Sequence, residues 1–303
     1  MSKTKDPGLG SGYSASVSRM INEDGTYNIQ RSGGMHRFRD FYKYLIELRW
    51  SVFFLWTITT YLLTNVLFAG IYMIGGVEDI SGINPDSNQF LNAFFFSVQT
   101  FTTVGYGFLA PVGAIAGIIS TFEAFLGLLY FALITGLLYG RFSKPSSKIA
   151  FARNAILTDF EGGKAIMFKI VNQRNSVLLK ASAKCTLAID SSDPTKALNR
   201  EYHSIELQVD YIQFFPLTWT LVHKIDEKSP FHNLDIVKIR ERNTELIVMV
   251  EALDETFSQN VIEKRSFAGD QWISGVKFKR NFSVNSSGKI ELRIDELNDV
   301  EPI

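Results

Sequence analysis

Thr102-Thr103-Val104-Gly105-Tyr106-Gly107 lies between two long apolar stretches, in a window from 51 to 140 that holds no Lys or Arg. Irregular backbone at membrane depth survives only where it lines a cavity or is buried in protein. The reading of the whole chain therefore turns on what surrounds these six residues. Residues 51–75 carry no charge and are rich in Phe, Leu, Ile, Thr and Trp. At ~1.5 Å per residue they are long enough to cross a bilayer core of ~30 Å. Residues 112–141 form a second span, longer than that core and so expected to tilt or to project beyond it. Residues 88–101 (NQFLNAFFFSVQTF) are equally apolar but too short to cross, which predicts a re-entrant helix that stops halfway.

Charge orients the assembly. Arg31, His36, Arg37, Arg39, Lys43 and Arg49 precede the first span, and Arg141, Lys144, Lys148 and Arg153 follow the second. The positive-inside rule then places both termini in the cytoplasm and 76–111 outside. In residues 38–50, Phe38, Phe41, Leu45 and Leu48 recur at helical spacing, which fits a short interfacial helix; a simple continuation of the span behind it is the alternative. Residues 1–37, rich in Gly, Ser and Lys, read as a mobile cytoplasmic tail. No apolar segment before residue 41 resembles a cleaved signal peptide.

From 145 to the end the texture changes to short β-branched or alternating runs. Examples are 166–170, 178–189, 205–209 and 246–250, separated by polar turns such as Glu161-Gly162-Gly163 and 285–288. Eight or so strands over this length predict an all-β, immunoglobulin-like sandwich. Length alone suggests about two domains. The net charge of zero points to no nucleic-acid partner, and the single cysteine, Cys185, excludes an intrachain disulfide. His36, His203, His223 and His232 lack metal-ligand spacing, and no nucleophile–base pair or organic-cofactor motif marks an enzyme.

Thr-Val-Gly-Tyr-Gly is the sequence whose carbonyls replace the hydration shell of potassium in channel filters. Here Thr103, Val104, Gly105 and Tyr106 offer the carbonyls, and Thr103 adds a hydroxyl. For those oxygens to face one axis the backbone must alternate handedness, and Gly105 and Gly107 supply the positive φ that other residues resist. Val104 and Tyr106 then point outward. One chain supplies a quarter of each oxygen layer, so the motif implies a homotetramer conducting K+.

The whole chain resembles the inward-rectifier potassium channel family, its bacterial branch most closely. Beyond 103–107, the resemblance rests on Arg49-Trp50, the exit 141–145 (RFSKP), 151–155 (FARNA) and 219–226 (WTLVHKID). The resemblance implies a two-span pore domain (38–144) in the inner membrane and a cytoplasmic β domain (145–303). Eukaryotic members have a cysteine pair around the pore loop and an acid–arginine bridge beside the filter; here the bridge positions read Val98 and Leu109. Glu123, an acid in an apolar helix, becomes the candidate to brace the filter from behind, by hydrogen bonding to Thr100 or Thr102.

Further roles come from the same resemblance. Ala124, Leu128, Phe131, Thr135 and Tyr139 share one face of the second span, with Tyr139 at the position that closes the inner mouth. Phe131 replaces the acid of strongly rectifying members, which predicts weak block by cytoplasmic cations. Gly127 and Gly136 match hinge positions, although both could simply permit close helix packing. Glu251, Ala252, Asp254 and Glu255 resemble the loop that narrows the cytoplasmic passage. Arg49, Trp50, Arg141, Lys144 and Lys148 form a basic belt for anionic, phosphoinositide-like lipid. A non-conducting membrane receptor with a ligand-binding β domain is the alternative function, and a potassium flux assay would separate the two.

Overall fold

The computed structural model describes residues 6–9, 19–30, 32, 38–75, 77–84, 86–143, 147–191 and 200–303. The chain divides into two compact units, one of residues 33–144 and one of residues 1–32 with 145–303.

The first unit is helical. Helix α1 (Phe38–Glu47) is followed by α2 (Trp50–Gly75), and the break at 48–49 separates them. The interfacial helix therefore ends three residues earlier than the expected 50, and Trp50 opens the first span. Phe38 falls outside the described side chains, while Leu45 is buried against Phe53 and Leu137. A 3-10 turn (Val77–Asp79) and a short strand β1 (Ile80–Ser81) lead to α3 (Gln89–Phe101). Asn88 caps α3, its side-chain oxygen accepting from Leu91 N at 3.1 Å. Strand β2 (Ala110–Pro111) pairs antiparallel with β1 and so ties the return from the 102–107 loop to the outer turn. Helix α4 (Ala114–Phe142) then runs 29 residues. Both α2 and α4 are long and apolar enough to cross a membrane.

The second unit is the expected β sandwich. Its strands are β3 (Ile149–Phe151), β4 (Ala155–Phe160), β5 (Gly163–Asn172), β6 (Leu178–Asp190), β7 (Arg200–Ile205), β8 (Tyr211–Phe215), β9 (Thr218–Ile225), β10 (Glu245–Asp254), β11 (Gln259–Ala268) and β12 (Trp272–Ser274). One sheet runs β11-β10-β6-β7, with β8 on the other half of β6; the second runs β12-β4-β5-β3, with β9 on β5. Inward residues of both sheets, among them Phe168, Leu187, Val248 and Phe267, form one core. The Glu161-Gly162 turn between β4 and β5 has both residues at positive φ, 50° and 78°, as a tight hairpin requires. A short helix α5 (Ile236–Glu241), a small hairpin (282–284 with 290–292) and a two-stranded pairing of 276–278 with 300–302 complete the unit.

Part of the expected tail is docked on this sandwich. Met20 and Ile21 are buried with Ala188, Tyr202 and Ile247. Their amides donate to the buried Glu245 carboxylate at 2.9–3.1 Å, and Arg200 pairs with the same carboxylate at 3.4 Å. The Ser266 hydroxyl donates to the Ile21 carbonyl. Composition gave no sign of this docking, because two apolar residues in a polar tail acquire meaning only beside a ready pocket. The rest of the 1–37 tail lies largely outside the described residues.

Candidate functional site

Between α3 and β2 the backbone alternates in handedness. Thr103, Gly105 and Gly107 have φ of 58°, 54° and 84°, while Val104 and Tyr106 do not share the positive sign. Glycine accommodates this without steric cost. Thr103 does not, and a positive φ in a β-branched residue is an outlier that its surroundings must hold. Its amide donates to Thr100 O at 3.0 Å, and the next two amides, Val104 and Gly105, both donate to Gln99 O at 3.0 and 3.3 Å. The same Gln99 reaches forward through its side chain, donating to Leu109 O at 2.7 Å. One residue of α3 thus clasps both arms of the loop. The residue that reaches Leu109 is Gln99 and not Val98, and it takes the backbone carbonyl instead of a charged side chain.

Behind the loop a polar cluster joins three helices. Glu123 of α4 is fully buried. It accepts from the Tyr72 hydroxyl of α2 at 2.6 Å and from the Ser97 hydroxyl of α3. Ser97 also lies 3.0 Å from Asn65 Oδ1, and the Asn65 amide donates to Tyr61 O. Glu123 therefore braces the helix carrying the loop one turn before its end, and the expected bonds to Thr100 and Thr102 are not made. The Thr102 hydroxyl instead closes on Val98 O within its own helix at 2.7 Å. Asn65, Ser97 and Tyr72 were detectable in principle, since polar side chains inside apolar spans seek one another.

Helix α4 shows three faces. Ala116, Glu123, Gly127 and Leu137 are buried against the other helices. Phe122, Phe125, Leu129 and Leu133 form an exposed apolar face. Leu128, Phe131, Thr135 and Tyr139 form a second exposed strip, continuous with the half-buried Ala124. Tyr139, at 75% exposure, is the most open aromatic on that strip. Gly127 is a packing glycine: a Cβ there would collide with the Phe101 carbonyl at the end of α3. Gly136 faces open space, so packing within the chain does not require it.

Arg141 occupies a position the sequence did not disclose. Its guanidinium donates to the carbonyls of Leu45, Ile46 and Leu48 at 2.7, 2.8 and 2.6 Å. These are carbonyls at the C-terminal end of α1, where a helix leaves acceptors unfilled and favours a cation. The same guanidinium sits over the rings of Trp50 at 4.4 Å and Phe53 at 4.6 Å. Arg141 and Trp50, expected in the lipid belt, are thus committed to one another. Arg49 and Lys148 are exposed, and Lys144 lies outside the described residues.

In the sandwich, the expected constriction residues divide. Glu251, Ala252 and Asp254 lie within β10, and the turn to β11 is 255–258. Ala252 is in the core. Asp254 is fully buried and pairs with Arg174 at 2.6 Å while its carboxylate accepts from Thr256 N at 2.9 Å. Glu251 accepts from Asn260 at 3.0 Å. Glu255 alone of the four is exposed at the tip. Three of the four lie in the ladder because β10 and β11 pair to their ends, in register from Glu245↔Ala268 to Asp254↔Gln259.

Two spanning helices, a half-length helix, a loop of alternating handedness and a β sandwich define a two-span channel subunit. Residues 149–303 match the family described as inward rectifier potassium channel C-terminal domain, and residues 60–144 match an ion channel family. The inward rectifier potassium channel Kirbac3.1 of Paramagnetospirillum magnetotacticum is 32% identical over 93% of this chain and 95% of its own. The G protein-activated inward rectifier potassium channel 2 of Rattus norvegicus and of Homo sapiens are each 23% identical, over 86% of this chain and 67% of theirs. This chain belongs to the inward rectifier potassium channel family. It is a membrane channel and not an enzyme, with potassium as the ion its family conducts.

Proposed function

We propose that four copies of this chain surround one axis and pass K+ through rings formed by Thr103, Val104, Gly105 and Tyr106, with Gly107 closing the alternation. The observation that carries this reading is the positive φ at alternate positions 103, 105 and 107. Alternation of this kind turns successive carbonyls toward one side, which an ordinary turn would not do. A dehydrated cation then meets oxygen in every layer. Gln99 holds the two arms at fixed spacing, and the Glu123–Ser97–Tyr72 cluster holds α3 against both spans. Thr100 and Thr102 contribute through backbone geometry.

The strip Ala124, Leu128, Phe131, Thr135 and Tyr139 faces the axis in this reading, with Tyr139 as the narrowest ring. Four such rings pack and dewet the passage. Gly136 is the bending point, and Gly127 stays fixed against α3. Glu255 presents four carboxylates at the sandwich tip, where they concentrate cations. Arg49 and Lys148 meet anionic headgroups at the inner face of a bacterial cytoplasmic membrane, with both termini inside, and headgroup selectivity is weak. Potassium flux into liposomes, with sodium as competitor, tests conduction and selectivity together. Flux that sodium supports equally well, or a monomeric or dimeric particle in bilayers, refutes the assembly. Titration of anionic lipid that leaves flux unchanged refutes the lipid dependence alone.

A further inference from the structure

Beside β9 a cavity of about 630 Å³ opens against the segment 206–208, lined by Glu206, Leu207, Gln208, Lys224, Asp226 and Lys228. His223 ties its walls together. One ring nitrogen lies 2.7 Å from Glu206 O and the other 2.8 Å from Ser229 Oγ, so both are already engaged. Val222 O accepts from Gln208 N at 2.8 Å, on the edge of β9 that faces away from β5. In an antiparallel strand the N–H and C=O of one residue point to the same side, and the residue two places on repeats that direction. Lys224 therefore turns its amide and its carbonyl toward the cavity, and neither has a hydrogen-bond partner among the described residues. Its side chain is occupied elsewhere, paired with Glu161 and 5.5 Å from the centre of the Phe160 ring. An open strand edge of this kind is a template for another backbone.

Charges of both signs flank the edge. The Glu206 and Asp226 carboxylates both act on the His223 ring, opposing the burial that lowers its pKa. Asp226 accepts from Lys228 N at 2.9 Å through one oxygen, which leaves the other open. Lys228 lines the same cavity.

We propose that this cavity binds a free α-amino acid, held as a one-residue antiparallel strand on the open edge of β9. One carboxylate oxygen of the ligand accepts from Lys224 N–H while its ammonium donates to Lys224 C=O, the exchange made by a hydrogen-bonded pair in a sheet. The ammonium then faces Glu206 and Asp226, and the carboxylate faces Lys228, which makes these bonds charge-assisted. Recognition requires both charges on one α-carbon. A peptide terminus, a simple amine or a simple acid offers only one of them. The Gln208–Val222 bond and His223 hold the walls in place before the ligand enters, which lowers the cost of binding.

The experiment is equilibrium dialysis of the full-length protein in detergent, with glycine and L-glutamine as probes. N-acetylglycine and glycine ethyl ester, each lacking one charge, serve as comparisons. Saturable binding of at least one free amino acid is expected, with both blocked compounds weaker by roughly tenfold or more. Glu206→Gln combined with Asp226→Asn should weaken binding by a similar factor. Lys224→Pro removes the amide that points off the sheet while sparing the β5 ladder, and should abolish binding. The proposal is overturned if neither amino acid binds, if a blocked compound binds as well as its parent, or if binding survives these substitutions. Should the variants fail to fold, the comparison of free with blocked compounds on the unaltered protein decides.

Discussion

The Tyr72 hydroxyl donates a 2.6 Å hydrogen bond to the Glu123 carboxylate, joining the first span to the second behind the helix that carries the 102–107 loop. With Ser97 as the other donor, the acid has a partner on each neighbouring helix. Tyr72→Phe removes one hydrogen bond from a fully buried site, at about 1–2 kcal/mol. We expect a lower thermal midpoint of the protein, together with a reduced K+ over Na+ permeability ratio in single-channel recordings if the proposed conduction path holds. Glu123→Gln keeps the volume and should keep most of the stability, but lose selectivity to a similar degree. Unchanged selectivity in both variants would leave the cluster with a packing role only.

Arg141 should not tolerate lysine. A lysine ammonium is a point charge that cannot cap three carbonyls while stacking between Trp50 and Phe53. Arg141→Lys is expected to uncouple α1 from α4 nearly as fully as Arg141→Gln, read as a broadened α1–α4 distance between spin labels. Lysine that restores the wild-type distance would show that charge alone matters there.

The two glycines of α4 should behave oppositely. Gly127→Ala drives a methyl group into the Phe101 carbonyl, so the helical unit should be strongly destabilised. Gly136→Ala meets open space, and its yield of folded protein should match wild type. If Gly136 is the bending point, its open probability falls. Equal thermal stability of the two variants would contradict the packing described.

Asp254 and Glu255 are adjacent acids with different fates. Breaking the buried Arg174 pair by Asp254→Ala should cost about 3–5 kcal/mol, seen as a large fall in the denaturation midpoint. Glu255→Gln should leave that midpoint within about 0.5 kcal/mol and lower conductance at low salt.

Acid should weaken the sandwich through His223. Its ring nitrogens face Glu206 O at 2.7 Å and Ser229 Oγ at 2.8 Å, and Phe231 packs 5.8 Å from the ring. Burial lowers its pKa below the ordinary 6.5, with the Glu206 carbonyl and the charges of Asp226 and Glu206 opposing. The unfolded state therefore binds a proton more readily than the native state. The contribution is fully present above pH 6.5 and is lost as the pH falls through the lowered folded value. His223→Gln should flatten that part of the pH–stability curve between pH 7.5 and 5.

The architecture is legible in the order of the amino acids. Apolar run lengths separated two spanning helices from one half-length helix, alternation marked the sandwich, and the glycines at 105 and 107 marked a loop of alternating handedness. Each is a local or periodic property, so neighbouring residues carry it. Gln99 as a clasp, Ser97 and Tyr72 as partners of Glu123, Arg141 as the cap of α1, and the docking of Met20 and Ile21 are different in kind. Most join a side chain to a backbone group or side chain distant in the sequence, such as Arg141 with the Leu45 carbonyl and Glu245 with the Met20 amide. Asp254 and Glu255 make the same point at the shortest range. Strand alternation turns one side chain into the core and leaves the other at the hairpin tip, and their shared chemistry gives no hint of which is which. These assignments emerge from packing, because hydrogen-bond partners are chosen by proximity in space, and proximity is settled after the helices and sheets have come together.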